Sequence, residues 1–104
     1  MATQTFTFTD NMQKTLLTHE SDASAEHLTV TSCKVLNDCD EVNECQLIIN
    51  AGEGVTPRRV SLQNLEANET VDLLISPSTV LLERGFSLEF ICSQPETNVT
   101  LKWS

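Results

Sequence analysis

From Val60 to Ser104, apolar side chains recur at every second position. Val71, Leu73 and Ile75 alternate with Asp72 and Ser76; Phe86, Leu88, Phe90 and Cys92 alternate with Ser87, Glu89 and Ser93; Val99, Leu101 and Trp103 alternate with Thr100, Lys102 and Ser104. Successive side chains of an extended chain point to opposite faces. A period of two therefore predicts strands with one face in a core and one in water. The intervening Ser76-Pro77-Ser78, Glu83-Arg84-Gly85 and Gln94-Pro95-Glu96-Thr97-Asn98 are short and rich in turn formers. The pattern predicts a run of antiparallel strands whose apolar face a second, upstream sheet has to cover.

Upstream, Thr3-Gln4-Thr5-Phe6-Thr7-Phe8-Thr9 alternates threonine with phenylalanine and is β-prone, and Asp10-Asn11 marks a turn. This segment reads either as an added edge strand or as an arm that pairs with a neighbouring subunit or particle. Met12 to His19 fits two patterns. Met12, Leu16 and Leu17 suit a short helix capped by Asp10 or Asn11, whereas Thr15-Leu16-Leu17-Thr18 suits a strand. Glu20 to Glu26 is a polar loop. His27 to Leu36 reads as a long strand whose phase slips near Thr31-Ser32, because Leu28 and Val30 fall on one face and Cys33 and Val35 on the other. A β-bulge re-aims a strand in this way. After an acidic turn from Asn37 to Glu44, Cys45, Leu47 and Ile49 are expected to point inward from a strand that ends at Asn50-Ala51-Gly52-Glu53-Gly54. The next strand, Arg58 to Asn64, is expected to turn Val60 and Leu62 inward.

Short strands at this spacing predict an all-β fold, an antiparallel β-sandwich of immunoglobulin-like or jelly-roll type with about eight strands. Residues 1–11 form the arm or added edge strand, and residues 12–104 form one sandwich domain. A chain of 104 residues buries about 65% of its unfolded surface, enough to hold a core unaided.

The order Val60-Ser61-Leu62, then Glu66-Ala67-Asn68-Glu69-Thr70-Val71, then Val80-Leu81-Leu82-Glu83-Arg84-Gly85-Phe86-Ser87-Leu88, and a closing Val99-Thr100-Leu101 forms a pattern, not a signature, that can be compared with known proteins. It resembles the small β-sandwich accessory virion proteins of tailed bacteriophages, in which a polar turn, a short strand, L-E-x-G-D-x-L, a strand, a turn and a final strand recur. Here Arg84-Gly85-Phe86 stands where a Gly-Asp step is usual. Lys14 to Thr18 and His27 to Thr31 fall where such proteins have their first two strands, so the resemblance favours a strand at residues 12–19. It implies an architecture and a role in the particle, with no catalytic residue and no cofactor.

Charge narrows the partners. Six basic against fifteen acidic side chains give a net charge of −9, and Arg58-Arg59 is the densest basic feature. Such a balance disfavours nucleic acid and anionic membrane. No apolar run approaches membrane-spanning length and no signal-peptide pattern opens the chain, so a soluble protein made in a cytoplasm is expected. On that expectation the sequons Asn68-Glu69-Thr70 and Asn98-Val99-Thr100 arise by chance.

The chemistry-bearing residues are few. Cys33, Cys39, Cys45 and Cys92 allow three disulfide connectivities. An inter-sheet bridge between Cys33 and Cys92 is one option, but Trp103 does not lie between them as an immunoglobulin tryptophan would. Reduced, mostly buried thiols are expected, with Cys39 and Cys45, on opposite flanks of one turn, the pair readiest to oxidise. The same turn gathers Asp38, Asp40, Glu41 and Glu44, yet Cys-x5-Cys is a poor zinc spacing and the calcium-loop pattern fails after two aspartates. No metal is expected. His19 and His27, the only histidines, accompany no nucleophile motif, and no enzymatic activity is expected.

What remains is assembly. With the inward faces assigned as above, Ile48, Leu74, Leu81 and Ile91 point outward, where large aliphatics either scatter harmlessly or form a subunit interface. The expected interaction residues are these four together with Thr5, Phe6, Thr7 and Phe8. The resemblance implies a capsid decoration or cement protein, a homo-oligomer and typically a trimer, that binds the major capsid protein or other virion proteins after assembly in a bacterial cytoplasm. A neck, tail or fibre component is the alternative within that class. Outside it stand a free acidic module that inhibits a host protein and an extracellular adhesion domain.

Overall fold

The computed structural model describes residues 2–10, 12–52, 54–74 and 79–104, and every regular element among them is a strand. The expectations for Asn11, Glu53, Ile75 and the turn Ser76-Pro77-Ser78 lie outside the described residues. The nine strands are β1 (Ala2–Phe8), β2 (Gln13–Thr18), β3 (His27–Asn37), β4 (Asn43–Asn50), β5 (Arg58–Leu65), β6 (Thr70–Asp72), β7 (Val80–Glu83), β8 (Ser87–Cys92) and β9 (Thr97–Trp103). Residues 12–19 thus hold a strand, and the chain is an all-β sandwich of two antiparallel sheets.

The pairing is nested. β1 pairs with β9, β2 with β8, β3 with both β6 and β7, and β4 with β5. The resulting long hairpin is rolled so that β9 also lies along β3 and β8 along β4. One sheet runs β1-β9-β3-β6 with β7 on the same edge of β3 as β6, and the other runs β2-β8-β4-β5. This is the strand order of a jelly roll, with two short strands, β6 and β7, sharing one place.

The core fills the space between the sheets. Val30, Cys33 and Val35 from β3, Cys45 and Leu47 from β4, Leu88 and Phe90 from β8, and Val99 and Leu101 from β9 are fully enclosed. β3 supplies both Val30 and Cys33 because its register against β9 shifts between Val30 and Ser32. The extra residue, Thr31, is the expected bulge, and it returns the strand to the same inward face.

Two inward assignments are corrected. Leu62 is 42% exposed and Val60 only half-buried. A second register shift, between Leu47 and Ile48, places Val60 in a bulge of β5. Leu62 then stands opposite Gln46, on the outer face, and Leu65, opposite Asn43, is the buried residue of β5. Leu74 fails in the other direction, being 4% exposed beside Leu73. Both follow β6, where strand alternation has ended, and the Leu74 N–H is held by Asp72 Oδ1 at 2.9 Å.

Candidate interaction surface

The N-terminal segment is an edge strand of the sandwich. β1 pairs along its whole length with β9, from Ala2 opposite Trp103 to Phe8 opposite Thr97. Phe6 and Phe8 are core residues, and the Phe8 ring lies 5.1 Å from that of Phe90 in the facing sheet. An arm offering these two rings to a partner is excluded by their burial. Thr5 and Thr7 do face outward, and Thr7 Oγ1 donates to Asn98 Oδ1 at 3.0 Å. Lys14 Nζ lies 5.5 Å over the Phe6 ring and shields the flank where the sheets part.

The four aliphatics expected outside do not make one patch. Ile48 and Ile91 are half-buried on the outer face of the β2-β8-β4-β5 sheet, where Ile91 stands opposite both Gln46 and Gln13. Leu74 is internal. Leu81, on β7 of the other sheet, is 52% exposed.

Leu81 instead centres a groove that the alternation pattern did not reveal. Three open depressions of about 540, 450 and 440 Å³ all include it. The second and third run along the seam between β5 and β7, past Arg58, Val55, Glu83 and Phe86, and the first lies on the other side of β7 among Glu26, His27, Glu83 and Arg84. Val55 is 52% exposed. Arg84 closes one end by donating to the carbonyls of Ser24 and Ala25. Exposed valine beside a pair of arginines was the available signal, but only the pairing of β7 with β3 brings Leu81 to them.

Buried polar groups cluster at the opposite end of the strands. Asn37, Asn43 and Thr97 are wholly enclosed. Asn37 Nδ2 donates to the carbonyls of Glu41, Leu65 and Glu66, and Asn37 Oδ1 accepts from Cys39 N–H. Asn43 Nδ2 donates to Thr97 Oγ1 at 2.7 Å, while Asn43 Oδ1 accepts from the N–H groups of Ser93 and Gln94. Three loops are fastened to one pair of amides. His19 is the other enclosed polar residue. Its Nδ1 donates to the Leu82 carbonyl at 2.8 Å, and Nε2 has no hydrogen-bond partner among the described residues.

All four cysteines are free thiols, and Cys33, Cys45 and Cys92 are buried. This is the expected reduced, mostly buried state; of the pair expected to oxidise most readily, Cys45 points into the core opposite Cys92. Burial, then the Asp72 charge and the neighbouring Cys45, push the Cys33 thiol up to about 12. Burial, then Cys92 and Glu44, push Cys45 up to about 12 as well. Burial also raises Cys92, partly offset by hydrogen bonding to Thr97 and to nearby backbone. Since the thiolate is the nucleophile, these groups are inert at neutral pH. A thiol reagent is expected to modify only Cys39 quickly in the folded protein and all four cysteines in denaturant; rapid loss of three or more thiols under native conditions would contradict this. The fold should also weaken in alkali. Above the ordinary thiol value of 9.0 the unfolded chain releases protons that folded Cys33 and Cys45 hold until about pH 12, so stability falls as pH rises through that window.

Among the described residues, no group of three His, Cys, Asp or Glu side chains is arranged to hold a metal ion. Nor is any helix long and apolar enough to cross a membrane. The chain matches no protein-family model and no curated protein.

Proposed function

We propose that this chain is a structural protein of a phage particle, a capsid decoration or cement protein that braces the outer shell. The observation that carries the reading is the set of open sheet edges. Among the described residues β1 pairs only with β9, β2 only with β8, β5 only with β4, and β6 and β7 only with β3. An open edge is a template for strand addition from a neighbouring chain. Jelly rolls recur in viral coats, which is support by analogy of fold alone, and the resemblance to phage accessory proteins covers roughly residues 12–104, which hold β2 to β9. Weak contacts repeated at many equivalent positions would hold the protein through avidity. With Phe6 and Phe8 in the core, the backbone edge of β1 and the hydroxyls of Thr5 and Thr7 are what that side offers a capsid protein.

The test is the copy number of this chain in purified particles, measured by quantitative mass spectrometry against the major capsid protein. A near-stoichiometric ratio is expected. A handful of copies would move the protein to a neck, tail or fibre, and its absence would refute the virion reading and favour a free acidic module acting on a host protein.

A further inference from the structure

The two ends of the sandwich differ in charge and shape. The turn between β3 and β4 carries Asp38, Asp40 and Glu41, all exposed, and Val42 projects from it at 50% exposure. Glu66, Glu69 and Glu96 come from the loops beside it, where the N–H of Asp38 donates to the Glu96 carbonyl and that of Asn37 to the Glu69 carbonyl. None of these loops contains a lysine or arginine. All three arginines of the chain, Arg58, Arg59 and Arg84, lie toward the other end, on or beside the Leu81 groove. Among the described residues, neither the Arg58 nor the Arg59 guanidinium has an ion-pair partner.

The register fixes how far apart these features are. Arg58 stands opposite Ile49 and Leu65 opposite Asn43, so the groove and the acidic turn flank opposite ends of β4. At about 3.3 Å per residue, a strand of this length separates them by roughly 20 Å. They point away from each other and cannot meet within one molecule.

We infer that the groove between β5 and β7 receives the acidic β3–β4 turn of a second copy, with Val42 set against Val55 and Leu81, and Asp40 and Glu41 facing Arg58 and Arg59. Charge complementarity selects this occupant. An exposed apolar residue ringed by carboxylates matches a groove in which Val55 and Leu81 lie beside Arg58 and Arg59, two guanidiniums against the single carboxylate of Glu83 among the described residues lining that stretch, while two acidic turns brought together would repel. The turn arrives already shaped, because the Asn37–Asn43 amide pair holds it, so little ordering entropy opposes docking. A contact between two different patches is heterologous. Repeated from copy to copy, it closes into a ring or runs on as a chain. The inference concerns the purified protein alone and does not rest on the virion reading.

Charge reversal tests it. The double variants Arg58→Glu with Arg59→Glu, and Asp40→Lys with Glu41→Lys, alter exposed side chains and leave the Glu41 carbonyl available to Asn37. Circular dichroism and thermal melts verify their folding. Sedimentation velocity should show the wild-type chain assembling beyond a dimer as concentration rises, and each variant weakened about a hundredfold. Mixed in equal amounts, the variants should assemble beyond a dimer again. The intact turn of the groove variant fits the intact groove of the turn variant, and the two reversed patches, a negative groove and a positive turn, complement each other between the resulting pairs. A wild-type chain that stays monomeric at millimolar concentration would overturn the inference. So would variants that assemble as well as wild type, or a mixture that stays monomeric.

Discussion

Removing residues 1–9 is expected to unfold the domain. β1 is the sole partner of β9 on that side and contributes Phe6 and Phe8, at 7% and 2% exposure, to the core. Burying a phenylalanine of this kind and then deleting it costs about 3–5 kcal/mol. Two such losses rival the whole stability of a typical domain, about 5–15 kcal/mol. The truncated chain should lack a cooperative urea transition and show a disordered far-ultraviolet spectrum. Phe8→Ala, which removes the Phe90 ring contact, should lower stability by about 3–5 kcal/mol, whereas Thr5→Ala, on the exposed face, should change it by less than about 0.5 kcal/mol. A truncated protein melting like the intact one would return this segment to the status of a detachable arm.

Asn43→Ala should be the second most damaging change, although it removes a small polar side chain from a loop boundary. Asn43 Oδ1 is the acceptor for two backbone N–H groups, and Nδ2 serves Thr97 and, at 3.4 Å, Asn37. Alanine leaves the Gln94 N–H without a partner among the described residues and strips one hydrogen bond each from the Ser93 N–H, Thr97 and Asn37, which keep the Glu44 carbonyl, the Gln94 carbonyl and the Cys39 N–H. An orphaned donor costs about 1–3 kcal/mol and each lost hydrogen bond about 0.5–1.5 kcal/mol, so a total loss of about 3–5 kcal/mol is expected, read as a shift in urea midpoint at unchanged slope. Asn98→Ala, whose side chain holds only Thr7 on the outer surface, is the control and should fall within about 0.5 kcal/mol of wild type. Equal effects of the two substitutions would show that the buried network contributes no more than a surface pair.

The strands were legible where alternation is uninterrupted. β4, β8 and β9 follow their sequence pattern, and the bulge at Thr31 left a visible slip in phase. The errors share one cause. Alternation divides residues into two faces, and a single unpaired residue exchanges them without leaving a trace when its neighbours are not strongly apolar. Val60 did this to Leu62. Where alternation stops, as at Leu73 and Leu74, both neighbours can turn inward. The place of β1 was open to sequence reasoning because its partner is distant: Thr5 meets Thr100 across 95 positions. The amide pair was hidden for a similar reason. Asparagines beside an acidic turn read as solvated, and only the convergence of three loops encloses them. The Leu81 groove likewise depends on two strands whose adjacency no local pattern encodes.

Nesting also orders events in time. β1 leaves the ribosome before every other strand of the sandwich yet is the partner of β9, so Ala2 waits for Trp103 before its ladder closes. Only β4 and β5, which form the innermost hairpin, can pair early. During synthesis the Thr-Phe stripe of β1 travels exposed, and the final core can form only after β9 emerges. Folding of so non-local a topology is slow, and the waiting edge is open to other nascent chains. The six side chains of the stripe from Thr3 to Phe8 include three threonines and one glutamine, a composition that keeps a waiting strand soluble while still favouring extended backbone.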